Sequence, residues 1–345
     1  MKTLDRRDFL RGGVTASVVP GFSSWLIDRR RPRQERPGRS PVVVAKASRY
    51  DADLAGILRS GIRECGLQVK GQRILLKPNL VEFDRVAPIN THVAVVAAAV
   101  EVFEGMGAAQ VLIGEGPGHR RDAYYLAEEA GYKQIPNFEK RFVDLNLDDV
   151  TPVPGFVRAQ EIYLPNTALT ADLVVSVAKM KTHHWVGATL TMKNLFGLVP
   201  GSVYGWPKNH LHQQGIPSSI VGLNRIFRRT FCIVDGIVGM EGNGPIQGVA
   251  RAANVLVMGP DVVAVDATAS RVMGLDPELI EYLDMSADLG HLTPGNIEQR
   301  GEEPSRVRTP FALLEEFRML RLSDAPPVIP GKAWAELRGD SKGLR

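Results

Sequence analysis

The segment 172–201, DLVVSVAKMKTHHWVGATLTMKNLFGLVPG, concentrates cationic and titratable side chains that could do chemistry. It begins with the apolar run Leu173–Val177, which is typical of a buried strand. Side chains with positive or titratable groups follow this run directly: Lys179, Lys181, His183 and His184. Globular proteins rarely place so many such groups after an apolar strand unless an anion or a metal ion lies there. The segment therefore predicts a site, although it does not specify the reaction.

The lysines and the first histidine of this segment suggest anion binding and proton transfer. Lys179, Lys181 and His183 fall on one face if the strand stays extended through them, because side chains alternate along a strand. There they would bind a phosphate or carboxylate; the alternative is a solvated strand end with ion-pair partners. Crowded like charges would lower the pKa of a lysine, so a lysine or His183 could move protons near neutral pH. The predicted catalytic residues are Lys179, Lys181, His183 and Lys193.

Polar residues after other apolar runs supply the rest of the predicted site. Substrate binding is assigned to Lys77, Asn79, Asn194 and Asn243. A hard divalent cation such as Mg²⁺ prefers carboxylate oxygens. The predicted ligands for such a cation are Glu115, Asp235 and Glu241. The sequence leaves an alternative open, in which Asp235 balances a nearby lysine and Asp266 stabilises the first turns of its own helix through the helix dipole.

The chain lacks the motifs of several common classes of site. GEGPGH at 114–119 lacks the final glycine of GxGxxG, and no GxxxxGK[ST] or GxSxG occurs, which argues against dinucleotide, P-loop and serine-hydrolase sites. Cys65 and Cys232 have no CxxC neighbour, so the chain cannot build an iron–sulfur cluster or zinc-ribbon site from its own thiols. Both are predicted to be buried and structural. His210 and His212 could chelate a metal on an extended segment, but two ligands seldom make a site, so a surface loop is predicted.

Apolar runs and helical patterns alternate from Pro41 onward. Runs typical of strands lie at 42–45, 73–76, 110–113, 142–145, 172–177, 230–235 and 254–258. Helical spacing occurs at 51–65, 93–106, 123–130, 219–227, 262–273 and 277–288. This alternation predicts an α/β fold with a mostly parallel sheet flanked by helices. Ligands of such folds bind at the carboxyl ends of the strands, which is where the predicted site residues stand.

The first 39 residues differ in charge from the rest of the chain. The net charge is +4, but residues 1–39 hold ten basic and four acidic residues, which leaves the remainder at −2. This distribution argues against nucleic acid as a partner of the body. The segment DRRDFLR at 5–11 resembles a twin-arginine export signal. The run Val14–Ile27 after it is too short, and too interrupted by Pro20 and Gly21, to span a bilayer.

This leader predicts a location and a division of the chain. A twin-arginine signal implies export of the folded protein by the twin-arginine translocase, to the periplasm or another extracytoplasmic compartment. No clear small-x-small cleavage site precedes Asp28, so an uncleaved N-terminal tether is the alternative to cleavage. The predicted division is a signal and basic linker at 1–39, an α/β domain at 40–322 and a proline-rich flexible tail at 323–345. No transmembrane span is predicted in the folded body.

Five segments together are similar to one known family: KPN at 77–79, GEGP at 114–117, and the stretches 177–201, 234–245 and 261–274. They resemble the domain of unknown function 362, and the resemblance spans roughly Val42 to Gly290. Many members carry an appended two-cluster ferredoxin module. This chain lacks those cysteines, so electron transfer by clusters of its own is not implied. The resemblance implies a fold and a recurring site, and it names no reaction.

The residues predict an enzyme that acts on a small anionic substrate, a carboxylate or a phosphate, with or without a divalent metal ion. The alternative is a non-enzymatic carrier of a ligand or cofactor outside the cytoplasm. A third hypothesis is a redox accessory protein that borrows clusters from a partner, which would dock on the loop 201–218 with Tyr204 and Trp206. The sequence does not identify a cofactor.

Overall fold

The computed structural model describes residues 35–118 and 122–325. The predicted export signal, most of the basic linker and most of the predicted tail lie outside these residues. Glu35 accepts hydrogen bonds from the Thr293 backbone amide (2.9 Å) and from Asn296 Nδ2 (2.7 Å), so the chain packs on the folded body from that residue onward. The predicted domain limits after residues 39 and 322 stay a prediction.

Ten strands of the described chain form one sheet in the order β12-β1-β11-β9-β7-β2-β3-β4, with β8 paired to β7 and β10 paired to β9. Their bounds are β1 Ser40–Lys46, β2 Arg73–Pro78, β3 Gln110–Glu115, β4 Phe142–Asp144, β7 Leu173–His183, β8 Gly187–Thr189, β9 Thr230–Glu241, β10 Val249–Arg251, β11 Val255–Gly259 and β12 Ile297–Gly301. A separate antiparallel pair consists of β5 Val150–Val153 and β6 Ile162–Pro165.

Helices cover both faces of the large sheet. The α-helices are α1 Leu54–Glu64, α2 Val93–Gly105, α3 Ala123–Glu129, α4 Phe138–Arg141, α5 Asn166–Leu169, α6 Thr191–Asn194, α7 Gly201–Tyr204, α8 Asn209–Gln213, α9 Ile216–Ile226, α10 Val262–Val272 and α11 Glu281–Asp284. Short 3-10 turns lie at Tyr132–Gln134, Val157–Ala159, Leu195–Leu198, Pro277–Leu279, Pro294–Asn296 and Glu315–Leu320.

The predicted α/β fold with a mostly parallel sheet is confirmed. Five neighbouring strands, β9, β7, β2, β3 and β4, run parallel, and β1 runs parallel to β12. Strand β11 is antiparallel to both of its neighbours, β1 and β9. The sheet is therefore mixed at β11 and also at the short strands β8 and β10, which run antiparallel to β7 and β9. An alternation of apolar runs does not reveal these reversals.

The central strands are buried on both faces, which explains their continuous apolar runs. One hydrophobic core contains Val174 of β7 and Val265 of α10. The other contains Val175 of β7, Leu58 of α1 and Val96 of α2. Successive residues of β7 therefore face opposite cores, and the same alternation decides which polar side chains meet beyond the apolar run.

Strand β7 extends well past its predicted end at Val177. It continues to His183 because β8 folds back on it, pairing Lys181 with Thr189 and His183 with Gly187. The register between β7 and β9 shifts between Lys179 and Lys181. Lys181 therefore lies beyond the part of β7 that pairs regularly with β9.

Cys65 is half-buried and Cys232 is buried, and both are free thiols. The interpretation of two buried cysteines therefore holds in full for Cys232 alone. Among the helices of the described ranges, none combines the length and the apolar character needed to cross a membrane.

Candidate functional site

A cavity of about 820 Å³ opens at the carboxyl ends of the parallel strands β2, β3 and β7. We refer to it as the site cavity. Eight of the eleven predicted site residues line it: Lys77, Asn79, Glu115, Lys181, His183, Lys193, Asn194 and Asn243. The structure brings these eight residues together because parallel neighbouring strands end at the same edge of a sheet.

Lys77 and Glu115 form a buried ion pair at the floor of the site cavity. Lys77 Nζ lies 2.6 Å from Glu115 Oε2, and both side chains are almost fully buried. Lys77 Nζ also donates to the Pro78 carbonyl (2.6 Å) and to Asn194 Oδ1 (3.3 Å). Burial lowers the pKa of Lys77, and the Glu115 carboxylate opposes that shift. The pair thus has its own partners and leaves little charge for a ligand.

Gly197 allows the segment 195–198 to pass directly over this ion pair. A Cβ atom at Gly197 would collide with Glu115 Oε1 and with the Lys77 ammonium. The Gly197 carbonyl also accepts a hydrogen bond from the Gly116 amide at 3.0 Å. The glycine is required here for close approach rather than for an unusual backbone conformation.

Lys181 is fully buried and has carbonyl groups as its hydrogen-bond partners. Its Nζ donates to Ile89 O at 2.9 Å and to Pro245 O at 3.3 Å. Burial, together with the nearby Lys179 and Lys193 ammoniums, lowers the pKa of Lys181 well below its usual range. An anion in the site cavity would relieve this repulsion, so Lys181 is a strong candidate for a ligand contact.

Lys193 and Lys208 add two further ammonium groups to the wall of the site cavity. Lys193 Nζ lies 3.5 Å from the centre of the Phe196 ring, a cation–π contact. Lys208 Nζ donates a short hydrogen bond to the Gly116 carbonyl. Burial lowers the pKa of each to about 7; Lys77 adds to both shifts, while Glu115 opposes the shift of Lys208. Both can therefore hold or release a proton near neutral pH.

Sequence reasoning missed Lys208. It lies in the segment 201–218, which was interpreted as a surface loop or a docking patch but contains the short helices α7 and α8. Its contact with Gly116 spans 92 residues of sequence. The nearest sequence signal was the KNHLH motif at 208–212, whose leading lysine precedes the two histidines.

His183 and His184 both line the site cavity although they are adjacent in the sequence. Their ring centres lie 5.0 Å apart, because the chain turns after His183 instead of remaining extended. His183 Nδ1 accepts a hydrogen bond from the Trp185 amide at 3.0 Å, which places the proton of the neutral ring on Nε2. Burial and nearby cations, Lys193 first, hold the pKa of His183 well below its usual range. His183 is thus a neutral donor to the site cavity.

Two buried polar atoms of the cavity wall have no hydrogen-bond partner within the described part of the chain. They are Asn79 Oδ1 and Thr189 Oγ1. Both residues are at least nine-tenths buried. Buried polar groups are almost always satisfied, so these atoms favour a polar ligand or water in the site cavity. Thr189 belongs to β8, just before the helix α6 that carries Lys193.

Lys179 and Asp235 are not among the residues that line the site cavity. Lys179 follows the face of β7 that carries Val175 and Val177, and its Nζ lies 2.7 Å from Asp235 Oδ2, with both side chains buried. The Tyr50 hydroxyl donates to Asp235 at 3.1 Å. The structure thus confirms the alternative in which Asp235 balances a lysine, and it places the predicted catalytic Lys179 in that ion pair.

The predicted metal ligands Glu115, Asp235 and Glu241 do not come together, so their assignment to one metal site is wrong. Glu115 binds Lys77, Asp235 binds Lys179, and Glu241 accepts a hydrogen bond from the Ala312 amide at 2.9 Å. In residues 35–118 and 122–325, no three His, Cys, Asp or Glu side chains form a group that could hold a metal ion. Each carboxylate is used by a different part of the fold.

Asp266 positions the short helix that carries Lys193 and Asn194. Its carboxylate accepts hydrogen bonds from the Thr191 amide (2.9 Å), the Met192 amide (3.0 Å) and the Thr191 hydroxyl. Burial raises the pKa of Asp266 to about 7, and these hydrogen bonds oppose the shift. The expectation of a dipole role in its own helix is therefore wrong, because Asp266 caps the start of α6 instead.

The fold and the cavity define an α/β protein with a lysine-rich cavity at the carboxyl ends of its parallel strands. Residues 74–271 match the model described as Domain of unknown function (DUF362), so the chain is a member of this family. A curated relative, the thylakoid-associated protein sll1697 of Synechocystis sp., is 30% identical over 229 residues, which cover 64% of this chain and 68% of the relative.

Two solved structures resemble the chain weakly. The lactate racemase apoprotein from Thermoanaerobacterium thermosaccharolyticum aligns with a TM-score of 0.39 and 12% identity, over 64% of this chain and 55% of that one. A protein from Thermotoga maritima aligns with a TM-score of 0.40 and 14% identity, over 70% of this chain and 59% of that one. The alignments span less than two thirds of either solved chain.

Proposed function

We propose that the protein is an enzyme that binds a small anionic compound, a phosphate or a carboxylate, in the site cavity and transfers protons to or from it. One observation carries the proposal. The lining of the site cavity contains three further lysines: Lys181, Lys193 and Lys208. Among the described residues of this lining, the buried carboxylate is that of Glu115, and it is already paired with Lys77. Lysines without carboxylate partners in a partly desolvated cavity favour an anion, whose charge in turn stabilises their protonated forms.

Each residue has a distinct role in this proposal. Lys181 is the main donor to the anion, because its ammonium lacks a carboxylate partner within the described chain. Lys193 is the proton carrier, since burial brings its pKa to about 7. His183 donates from Nε2, while Asn79 and Thr189 orient the ligand through atoms that otherwise stay unsatisfied. The predicted substrate-binding residues Asn194 and Asn243 also line the cavity. Asn194 Nδ2 donates a hydrogen bond to the Lys77 carbonyl at 2.9 Å.

Lys181→Met should weaken anion binding by about tenfold or more, because hydrogen bonds to charged groups contribute about 1.5–3 kcal/mol. The affinity for inorganic phosphate would be measured by isothermal titration calorimetry at pH 6. Lys140→Met is the matched control, since Lys140 is exposed and does not line the site cavity. Equal affinities of wild type and Lys181→Met would contradict the proposal.

Turnover separates an enzyme from a carrier that uses the same contacts. An enzyme consumes a molar excess of its ligand, whereas a carrier returns one equivalent unchanged. Anaerobic purification followed by mass spectrometry of the bound small molecules would supply the ligand for that measurement.

The proposal also includes export of the folded protein by the twin-arginine translocase. It is supported by the DRRDFLR segment at 5–11, which lies outside the described residues, and is compatible with the thylakoid association for which the Synechocystis relative is named. The double substitution Arg6→Lys and Arg7→Lys should retain the protein in the cytoplasm, as measured by fractionation of the producing bacterium. Unchanged export of that variant, compared with a Lys2→Arg control, would contradict this part.

A further inference from the structure

The site cavity is much larger than a simple anion requires. Its volume of about 820 Å³ lies within the range of roughly 300–1,000 Å³ that is typical of sites for whole organic molecules. A water molecule takes up about 30 Å³ in the liquid. An inorganic phosphate or an acetate would therefore fill a small part of this space. The residues that line the rest of the cavity should indicate which other chemical group the ligand has.

A row of aromatic rings leads from the lysines toward the surface. Phe196 lies beneath the Lys193 ammonium, and the His212 ring lies 6.1 Å from Phe196 and 5.2 Å from Trp185, between centroids, in edge-to-face contacts. Trp185 is 58% exposed although it is large and mainly apolar. Leu211 and other apolar side chains line the same cavity. One part of the wall is thus cationic and another is aromatic.

The backbone around Trp185 is fixed by hydrogen bonds. The Trp185 amide donates to His183 Nδ1 at 3.0 Å, and the His184 amide donates to the Gly244 carbonyl at 3.0 Å. Gly187 closes the turn with a φ of 80°, a left-handed conformation that favours glycine. Isolated exposed apolar residues are common on protein surfaces and by themselves indicate nothing. Trp185 differs because its segment is held at the rim of a cavity that it also lines.

We propose that the natural ligand is an anion that carries an aromatic group. Its phosphate or carboxylate contacts Lys181 and Lys193, and its ring packs against Trp185 and Phe196. This inference rests on the proposed function and adds the substrate class. Aromatic pairs stabilise a contact beyond the area that they bury. Asn79 Oδ1 and Thr189 Oγ1 supply the few directional polar contacts that sites of this kind contain.

Two pairs of probes test the inference: phenylphosphonate against methylphosphonate, and phenylacetate against acetate. The members of each pair share an anionic group and differ in the ring. We expect the aromatic member of at least one pair to bind about tenfold more tightly to the full chain, by isothermal titration calorimetry. Trp185→Ala should reduce this preference to about threefold or less, and Trp185→Phe should retain most of it. Tyr125→Ala is the control, since Tyr125 is also exposed but does not line the cavity.

The outcomes distinguish this inference from the proposed function. Equal affinities within both pairs would overturn the aromatic class and leave the anion site in place. A preference that survives Trp185→Ala unchanged would also overturn it, because Trp185 would then not contact the ring. If Trp185→Ala does not fold, a preference in wild type that Trp185→Phe retains supports the inference. Absence of binding by all four probes would overturn both proposals.

Discussion

Asp235→Asn should lower the free energy of unfolding by about 3–5 kcal/mol, the usual result of removing one partner from a buried ion pair. Asp235 and Lys179 are almost fully buried and lie 2.7 Å apart. Asp235 also accepts hydrogen bonds from the Tyr50 hydroxyl and from the His92 amide, both at 3.1 Å. An asparagine has no charge to balance the Lys179 ammonium, so the cation would remain desolvated in the interior. Urea unfolding monitored by circular dichroism measures the change.

Two comparisons show whether charge is the cause. Asp288→Asn breaks the half-exposed pair with Arg225 and should cost less than about 1 kcal/mol. Adding Lys179→Met to Asp235→Asn removes the unpaired cation and should recover a large part of the lost stability. A loss no larger than that of Asp288→Asn would contradict the assignment. Lost phosphate affinity at unchanged stability would instead indicate that Asp235 acts in ligand binding.

The position of the site could be predicted because it depends on local features. An apolar run followed by lysines marks a strand that ends at a polar edge, and parallel strands bring several such ends together. Lys77, Glu115 and Lys181 come from three different strands and still line one cavity. The α/β class followed from the same alternation of strands and helices.

The alternation of side chains along a strand could not predict that Lys181 lines the site cavity while Lys179 does not. Lys179 and Lys181 are two residues apart, so a regular strand places both on one face. The register of β7 against β9 shifts between them, which is a bulge-like irregularity that alters where the following side chains point. Lys179 therefore stays with Asp235, while Lys181 lines the site cavity. No residue type in the segment signals that shift.

The sequence also could not predict which lysines the carboxylates pair with. Glu115 pairs with a lysine 38 residues earlier, and Asp235 with one 56 residues earlier. A composition of acids and lysines at strand ends fits a metal site and a set of ion pairs equally well. The alignment of the strands in the folded protein decides which side chains meet, and here each carboxylate of Glu115 and Asp235 meets a lysine.

Anion affinity should fall steeply as the pH rises above 7. Burial brings the pKa of Lys193 and of Lys208 to about 7, so each loses its proton just above neutrality in the free protein. A bound anion favours the protonated form and raises both pKa values, so binding takes up protons. Affinity is therefore complete below pH 7 and is lost between 7 and the higher pKa of the complex. Above its pKa, each coupled lysine should contribute nearly tenfold per pH unit, or about 50-fold from pH 7 to 9.

Sulfate suits this measurement because its charge does not change between pH 6 and 9. Calorimetry in buffers of different ionisation enthalpy reports the proton uptake directly, and the expected value at pH 8 lies between one and two protons. Lys193→Met removes one titrating group and should reduce both the proton uptake and the slope, whereas Lys140→Met should change neither. A flat profile in wild type would mean that Lys193 and Lys208 do not face the bound anion. A steep profile that Lys193→Met leaves unaltered would assign the titration to Lys208 or Lys181, which also line the site cavity and whose pKa values burial lowers.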